Sequence, residues 1–476
     1  MNKSAPSTAK PLGTLVFTAA FWLWITSALL ALILVVVIST AWAVRHASIG
    51  GPRLSSSQSD FVIAVAEFVP LVRASIKELQ SWVEGVPLQL LVDRKETEQP
   101  HWVRRFPAPE DPGYLLFSGL DPVLKRSVVA LIRISDGIPV VRWDPDWLAI
   151  HKQITAKKFA PKGSPGTMGA VHPLLLADGD IIFNTGSSLV RQSPCSRRPV
   201  WVLDEVMHHS IELDTSGNTI WVPSVSQDGF ADSPWLQDRI RDDALAQVSI
   251  DGRILNKRSF THILRSNDLE ALLLGTSGER FANDPIHLNQ ISVAPLDSHY
   301  WQKGDLLISA KNLSTIFLYR PSTNRIIWYK TGPWMNQHSA NFVDDHRISV
   351  FNNNVISGVK KEHAFVTHGD TNHFLVYDFD TNQISEPFAA LLADAKPVTV
   401  NQGSARMLPD GGLFIEETNQ GRHLRFTRNR LMWSRINDYD DRRIGAVFWS
   451  RYLTVDEARG PLQALVARQC PAVAVQ

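Results

Sequence analysis

Four segments of the sequence place histidine beside hydroxyl, amide or carboxylate groups, the residue types that move protons and bind anions. They are His208-His209-Ser210-Ile211-Glu212, Asp284-Pro285-Ile286-His287-Leu288-Asn289, Gln337-His338-Ser339 and Gly421-Arg422-His423. Each of the first three precedes a β-like run and a turn. Equivalent positions in successive repeats would bring these imidazoles to one cavity, so the pattern predicts a shared histidine site.

Clustered imidazoles are compatible with three chemistries. Neutral rings can ligate zinc, copper or iron, but the sequence has no HExxH motif and no clear i,i+4 ligand pair, so no metal is predicted. The rings can act as general acid and base around an oxyanion. One ring can instead be a nucleophile that forms a covalent N-linked intermediate. For each single histidine, a structural role is the alternative.

The composition excludes several classes of protein. A chain of 476 residues with 44% hydrophobic and 20% charged residues is globular rather than disordered. A formal net charge of +1 argues against nucleic acid as a partner. The only two cysteines, Cys195 and Cys470, cannot build a Cys-rich metal site, and they either form one disulfide or remain free thiols.

The N-terminal region carries the signals of a membrane anchor. Residues 11–44 include no charged residue, and about 20 apolar residues suffice to cross a bilayer. We predict a cytoplasmic N-terminus (1–10), a single uncleaved transmembrane helix (11–44) and a helical stalk or linker (45–105). Apolar residues at three- and four-residue spacings over 61–83 predict an amphipathic helix in that linker. The main domain is then expected on the periplasmic side of the inner membrane.

Beyond residue 105 the sequence repeats one arrangement of strands and turns. An apolar run, a turn with Asp, Asn or Gly, and a second run that contains Trp recur, for example over 128–143, 316–328 and 424–433. Each copy contains several strands and must bury its faces against neighbouring copies, which favours a β-propeller over a sandwich. We predict an all-β domain over 106–476, a propeller of about six blades.

The order and spacing of several segments resemble the bacterial PAPS-independent arylsulfotransferases, propeller enzymes of the cell envelope. The similarity covers the chain from about Pro112 to Trp449. Besides the segments around His208, His287 and His338, it rests on the runs 306–315 and 348–354. The resemblance implies transfer of a sulfuryl group from an aryl sulfate donor to a phenolic acceptor through a sulfo-histidine, with no cofactor.

The resemblance also implies roles for particular residues. His208 and His338 would bind the oxyanion or act as acid and base, and His423 is the nearest match to the family's nucleophile. Substrate contacts are expected from a second group: His287, Asn289, His209, Arg422 and Trp334, of which the last would stack on the aromatic ring. One of the two glutamates before the last turn, Glu416 or Glu417, is a candidate for orienting an imidazole.

The chain departs from the family at one position and leaves other functions open. Where family members carry an arginine after an Asp-Asn-Gly turn, this sequence has three asparagines, 352–354, so Lys360, Lys361 or Arg422 is expected to supply the charge. The main alternative to a transferase is a propeller that binds an envelope ligand or protein without catalysis. Metal-assisted hydrolysis is a third hypothesis, and the oligomeric state is open, with a homodimer as one option.

Overall fold

The structure is a computed structural model that describes residues 24, 26, 27, 29–31, 91–93, 106–157, 164–226, 228–232, 237, 240–275, 283–360, 363–369, 371–468 and 470. For 93, 357–360 and 363–367 it describes the backbone alone. The chain divides into two units, Met1–Leu88 and Gln89–Gln476. The described residues of the first unit are helical. The predicted cytoplasmic N-terminus, most of the predicted anchor and the predicted amphipathic helix lie outside the described residues. In the part of the chain that is described, no helix has both the length and the hydropathy of a membrane span.

The second unit is an all-β propeller of six four-stranded antiparallel sheets, which confirms the predicted architecture and blade number. Before the first blade, β1 (Leu91–Asp93) pairs with β27 (Arg443–Gly445), so this part of the predicted helical linker is extended. From the innermost strand outward, blade 1 contains β28 (Arg451–Leu453), β2 (Tyr114–Asp121), β3 (Arg126–Arg133) and β4 (Pro139–Trp143). Blade 2 contains β5 (Val171–Leu175), β6 (Ile181–Asn184), β7 (Leu189–Gln192) and β8 (Pro199–Leu203). Blade 3 contains β9 (Glu212–Leu213), β10 (Thr219–Ser226), β11 (Asp242–Ser249) and β12 (Ile254–Ser259).

The remaining three blades follow the same order. Blade 4 contains β13 (Leu288–Val293), β14 (Leu306–Ala310), β15 (Thr315–Arg320) and β16 (Arg325–Thr331). Blade 5 contains β17 (Ser339–Phe342), β18 (Arg347–Asn352), β21 (His373–Asp378) and β22 (Gln383–Ser385), and the hairpin of β19 (Val355–Lys360) and β20 (His363–Thr367) projects between its second and third strands. Blade 6 contains β23 (Ser404–Met407), β24 (Leu413–Glu417), β25 (Arg422–Phe426) and β26 (Leu431–Ile436).

The C-terminal strand closes the ring. β28 pairs with β2 in the register Tyr114↔Leu453 and Leu116↔Arg451, so the innermost strand of blade 1 comes from the other end of the domain. Closure of this kind removes free sheet edges between the first and last blades. It also explains why residues far apart in sequence, at about 115 and about 450, lie in one sheet.

Hydrophobic side chains fill all six interfaces between neighbouring blades. Each neighbouring pair shares one buried cluster, for example Leu116 with Phe183 between blades 1 and 2, and Phe117 with Trp433 between blades 6 and 1. The second and third strands of a blade are covered on both faces and are almost continuously buried, as in β2. The outermost strand alternates between half-buried and exposed residues, as in β16.

Within the described ranges, helices decorate the propeller at α1 (Trp147–Lys152), α2 (Phe260–Arg265), α3 (Ala271–Leu274), α4 (Ala389–Ala395) and α5 (Val455–Ala467). α5 directly follows β28, and a capping box between Thr454 and Glu457 starts it. Beyond α5, Cys470 forms a disulfide with Cys195, which lies between β7 and β8. The disulfide therefore secures the chain segment that closes the ring.

Strand direction alternates within each blade and so determines which loops meet. The start of the innermost strand, the loop between the second and third strands, and the end of the outermost strand all lie at one end of the propeller. We call it the entry end, and the opposite one the exit end. All the histidine segments singled out from the sequence are located at the entry end.

Candidate active site

The residues at or just before the start of the innermost strands share an uncommon backbone conformation. His172, His209, His287, Gln402 and Trp449 have φ angles of 54°, 59°, 55°, 59° and 58°. A positive φ is uncommon for residues other than glycine, and each instance destabilises the backbone by about 1–3 kcal/mol. Such residues tend to concentrate at functional sites, so their recurrence in five blades marks the entry end.

Four histidines from three blades meet at this end. The ring centroids of His208 and His209 are 4.9 Å apart, and those of His209 and His287 are also 4.9 Å apart. Trp449 lies beside them, 5.4 Å from His209 and 6.4 Å from His338. We call His208, His209, His287 and His338 the histidine cluster. The structure thus brings together the residues of the first three histidine segments.

His208 and His209 form a hydrogen-bonded relay with a buried carboxylate. Nε2 of His208 lies 3.2 Å from the Ser224 carbonyl oxygen and 3.4 Å from Oδ1 of Asp243, so this nitrogen carries the proton. Nδ1 of His208 lies 2.7 Å from Nδ1 of His209 and accepts a hydrogen bond from it. In these tautomers Nε2 of His209 has a lone pair, so it can accept a proton from a bound molecule.

His287 is oriented by a carboxylate three residues before it. Its Nδ1 lies 2.5 Å from Oδ2 of Asp284, and an ionised carboxylate can only accept, so Nδ1 carries the proton. Nε2 then has a lone pair, and no residue in the described part of the chain hydrogen-bonds to it. The side chain is 21% exposed. This combination of an orienting carboxylate and an accessible lone pair is that of a nucleophile or a general base.

Two cationic residues border the cluster. Arg241 donates from Nε to Oδ1 of Asp243 (2.9 Å), and its Nη1 lies 3.9 Å from Asp284. Its Nη2 is buried and has no hydrogen-bond partner among the described residues. Lys311 is 6% exposed, and its backbone N–H donates to the His287 carbonyl oxygen. An unpaired guanidinium nitrogen beside a second cation suits the oxygens of a bound anion.

Burial keeps the rings of His208, His209 and His338 neutral by lowering their pKa values. Desolvation, assisted by Arg241, lowers the pKa of His208, and desolvation with the neighbouring rings of His208 and His287 lowers the pKa of His209 well below 6.5. Desolvation, assisted by Lys311, lowers the pKa of His338 to about 3. Burial alone would raise the pKa of Asp243, but Arg241 and the His208 hydrogen bond outweigh it and hold that pKa well below its usual range.

His338 belongs to the cluster, but protein groups occupy both of its nitrogens. Nδ1 lies 2.7 Å from Oδ1 of Asn353 and 3.1 Å from the Asn336 carbonyl oxygen, and therefore donates. Nε2 accepts from the backbone N–H of Gln402 at 2.9 Å. The ring thereby links blade 5 to blade 6. Its predicted catalytic role stays a prediction, and the geometry gives it the contacts of a fixed wall of the site.

The structure does not bring His423 or Arg422 to the cluster. His423 lies in the third strand of blade 6, is completely buried, and has Nε2 3.0 Å from Ser450 Oγ. Phe117 and Phe414 flank its ring, each at 6.1 Å. His423 therefore lies at the interface between blades 6 and 1, whereas the four clustered histidines precede innermost strands.

Three of the predicted substrate contacts are buried in the structure, and their roles stay predictions. Arg422 is fully buried and is paired with Glu417. Trp334 is 1% exposed in the cluster between blades 4 and 5, so its ring is covered by core side chains. Asn289 is fully buried and donates from Nδ2 to the Gln337 carbonyl oxygen at 2.8 Å, which joins blades 4 and 5.

Sequence reasoning missed several residues that the site brings together. Asp284 was part of a quoted motif, and its spacing from His287 was the available signal. Lys311 also lay in a quoted run, but nothing local distinguished it from a surface lysine. Arg241 and Asp243 had no motif. The expected charge from Lys360 or Lys361 stays a prediction, since those side chains lie outside the described residues.

A central channel lies behind the cluster. A cavity of about 440 Å³ is lined by innermost strands of all six blades, from Trp449 and His172 near the entry end to Phe342 and Glu457 near the exit end. In its wall, Nη2 of Arg451 donates to Nδ1 of His172 at 2.7 Å and lies 3.2 Å from Glu212. Trp449 and His172 thus separate the histidine cluster from the channel.

Metal-ligand geometry occurs elsewhere among the described residues. The groups with ligand atoms close enough to share an ion are Asp344, Asp345 and His346, and His346, Asp378 and Asp380. They lie at the exit end of blade 5, and Arg347 already pairs with Asp344. The predictions that the protein uses neither metal nor cofactor stay predictions.

The fold and the site together define a six-bladed propeller with a histidine-rich centre beside two cations. The sequence profile of the arylsulfotransferase (ASST) family matches residues 172–438, which is more than half of the chain. The chain belongs to this family. The match begins at His172 and includes the whole histidine cluster.

Comparisons with other proteins add similarity of architecture only. A search of curated proteins found no match. A Bacteroides caccae protein of unknown function is 13% identical, with a TM-score of 0.43 over 72% of this chain and 99% of its own. Hydrazine synthase of Kuenenia stuttgartiensis is 9% identical, with a TM-score of 0.35 over 70% of this chain and 80% of its own. Virginiamycin B lyase of Staphylococcus aureus is 12% identical, with a TM-score of 0.28 over 55% of this chain and 67% of its own. At these TM-scores, none supports an argument about function.

Proposed function

We propose that the protein transfers a sulfuryl group from an aryl sulfate to a phenolic acceptor through a sulfo-histidine, and that His287 is the nucleophile. Membership of the arylsulfotransferase family supports sulfuryl transfer. The observation that carries the assignment is the Asp284–His287 pair, because it leaves the lone pair of Nε2 accessible at the centre of the cluster. This proposal replaces His423 as the nucleophile.

In the first half-reaction, Nε2 of His287 attacks the sulfur of the donor. The N–S bond forms as the S–O bond to the aryl group breaks, and the phenolate leaves with the electron pair and takes its proton from water. The ring becomes cationic, and the carboxylate of Asp284 stabilises it through Nδ1–H, 2.5 Å away.

In the second half-reaction, the acceptor phenol gives its proton to Nε2 of His209 while its oxygen attacks the sulfur. The S–N bond breaks, and its electron pair returns to Nε2 of His287. The positive charge that develops on His209 is stabilised through His208 and Asp243, the other two members of the relay. Because the pKa of His209 lies well below 6.5, it then releases the proton to water at neutral pH.

Arg241 and Lys311 would hold the sulfuryl oxygens. Charge spreads over three oxygens during transfer, and fixed cations in a partly desolvated site stabilise that charge without having to reorient. The unpaired Nη2 of Arg241 is a donor already in place. These residues would supply the positive charge of the arginine that family members carry and this chain lacks.

We further propose that residues 11–44 anchor the protein in the inner membrane, with the propeller in the periplasm. The uncharged segment supports the anchor. The Cys195–Cys470 disulfide supports an oxidising compartment. Proteolysis of spheroplasts tests this topology: the propeller should be degraded from outside, and a propeller protected until the membrane is lysed would contradict it.

The direct test of the function is to trap the intermediate. Full-length protein is mixed with p-nitrophenyl sulfate without acceptor, quenched in alkali and digested for mass spectrometry, with nitrophenol release followed in parallel. We expect a stoichiometric burst of nitrophenol and a sulfo group on the peptide that contains His287. His287→Asn should abolish both, and His209→Asn should retain the burst but slow the turnover that depends on a phenol acceptor.

Two results would overturn the proposal in different ways. A sulfo group on another histidine would reject His287 as nucleophile and leave the transferase intact. The absence of any burst with several aryl sulfates would reject sulfuryl transfer and favour a propeller that binds an envelope ligand.

A further inference from the structure

Trp449 stands at the centre of the entry end and contacts rings from three blades. Its indole centroid is 5.3 Å from that of His172, 5.4 Å from that of His209 and 6.4 Å from that of His338. The side chain is only 5% exposed, so it is a support for these rings rather than a free stacking surface. The position of this one indole therefore influences several members of the site at once.

The backbone of Trp449 is held in a conformation that a bulky residue rarely adopts. Its φ of 58° is left-handed, and such a conformation persists only where surrounding contacts over-determine it. One contact comes from the indole N–H, which donates to the Gly403 carbonyl oxygen at 2.8 Å. The others come from a single buried carboxylate in blade 6.

That carboxylate is Glu416, which is completely buried. It accepts the backbone N–H of Trp449 at 2.7 Å and the backbone N–H of Ser450. The hydroxyl of Thr418 donates to it as well, at 2.8 Å. A buried carboxylate that accepts several hydrogen bonds fixes the geometry of its donors, because each lost bond would leave a desolvated charge.

His423 completes the support from the other side. Its Nε2 lies 3.0 Å from Ser450 Oγ and 3.4 Å from Oε2 of Glu416. Burial lowers the pKa of His423, against the opposing effect of Glu416, so the ring is neutral and donates through Nε2. The histidine thus supplies a further donor for the buried carboxylate at the base of Trp449.

We propose that Glu416, assisted by His423, is a positioning residue that acts through Trp449 to set the orientation of His209 and His338 for transfer. Neither residue touches the substrate. The inference rests on the proposed function for its kinetic consequence, whereas its structural consequence can be measured without any activity. It also gives His423 a function that differs from nucleophilic attack.

The chain offers a matched control for Glu416. Glu417 is the next residue of β24, is also completely buried, and accepts hydrogen bonds from Arg422 and from the Val398 N–H. Among the described residues it makes no hydrogen bond to Trp449 or Ser450, and its partners lie on the α4 side of blade 6. Glu417→Gln and Glu416→Gln therefore each remove one buried carboxylate from β24, the first away from the site, where it pairs with Arg422, and the second beneath the site.

The experiment compares wild type, Glu416→Gln and Glu417→Gln as full-length proteins. The nitrophenol burst and the steady-state constants give the kinetics, and carbethoxylation by diethyl pyrocarbonate, mapped by mass spectrometry, reports the accessibility of His209. We expect Glu416→Gln to lower kcat by about 10–100-fold, with KM for the donor changed less than about threefold, since small misplacement of reacting groups has effects of this size. The rate of His209 carbethoxylation should change by at least about threefold. Glu417→Gln should leave both kcat and the rate of His209 carbethoxylation within about twofold of wild type.

The outcomes separate this inference from the proposed function. If Glu416→Gln and Glu417→Gln behave alike in both measurements, the positioning role is rejected. If wild type shows no burst, the proposed function fails, and the carbethoxylation of His209 decides the inference alone: an unchanged rate in Glu416→Gln rejects it. If Glu416→Gln does not fold, Trp449→Phe takes its place. A wild-type rate of His209 carbethoxylation in Trp449→Phe would then reject the inference.

Discussion

His287 and His423 each have a carboxylate partner, and of these two rings only that of His287 is accessible. His287 donates from Nδ1 to Asp284 at 2.5 Å, and its side chain is 21% exposed at the start of an innermost strand. His423 lies 3.4 Å from Glu416, is fully buried in a third strand, and is flanked by two phenylalanines. A carboxylate partner therefore does not by itself identify a nucleophile. The position of the strand within its blade decides whether the ring faces the centre or the interface between blades.

The largest expected effect comes from replacing the ring of His287 with an amide, and the same replacement of His423 is the comparison. His287→Gln should lower kcat by about 10⁴-fold, because it removes the atom that forms the covalent bond. His423→Gln should lower kcat by less than about tenfold, since the amide N–H can replace the donor to Ser450. Steady-state kinetics with p-nitrophenyl sulfate and phenol test this ordering. Equal losses in the two variants would contradict the distinction between the two histidines.

A smaller effect is expected from Arg241, whose Nη2 has no hydrogen-bond partner among the described residues and whose Nη1 lies 3.9 Å from Asp284. Arg241→Gln should lower kcat/KM for the sulfate donor by about 10²-fold, because one fixed charge that stabilises the transferring group is lost. Arg320→Gln is a matched control: this arginine pairs with Asp305 at the exit end and should change kcat/KM by less than about twofold. If Arg320→Gln loses as much activity as Arg241→Gln, the loss in Arg241→Gln is due to a less stable protein and not to a missing contact with the donor.

The smallest expected effect concerns acid stability and the buried rings. The folded pKa of His338 is about 3 against about 6.5 in the unfolded chain, so the unfolded state binds more protons between these values. The contribution of this ring to the free energy of unfolding is therefore fully present above pH 6.5. It declines by about 1.4 kcal/mol per pH unit as the pH falls toward 3.

Urea denaturation of wild type and His338→Gln at several pH values tests the acid effect. The variant should show a pH slope that is shallower by about one proton between pH 6 and pH 4. An unchanged slope would mean that His338 is not the neutral, desolvated ring that its hydrogen bonds indicate.

Much of the fold was accessible from the sequence because it is periodic. Runs such as 316–319 and 374–377, each followed by a turn and a second run, indicated repeated hairpins, and the length of the repeated region indicated about six blades. The same periodicity located the cluster, since His208, His287 and His338 all precede an innermost strand. His423 differs in following a second strand and its turn, and alignment of the blades would have shown this difference.

The rest of the site could not be inferred because its members share no local pattern. Asp243 lies in the third strand of blade 3 and Arg241 directly precedes that strand, so their relation to His208 arises only when the strands of that blade pair. Trp449 reaches the cluster because β28 closes the ring against β2. Trp334 illustrates the reverse case, since proximity in sequence to His338 did not prevent burial in the core between blades 4 and 5.

Local sequence pattern was enough to predict a repeated all-β domain, histidines at one place in successive repeats, and a resemblance to the arylsulfotransferases. Alternation, turn residues and motif spacing are all properties of short segments. The packed blades were needed to show that His287 is accessible, that Asp284 orients it and that Arg241 and Lys311 border the cluster. Exposure and charge pairing depend on distances between strands of different blades, and those distances exist only once six blades have packed into a closed ring.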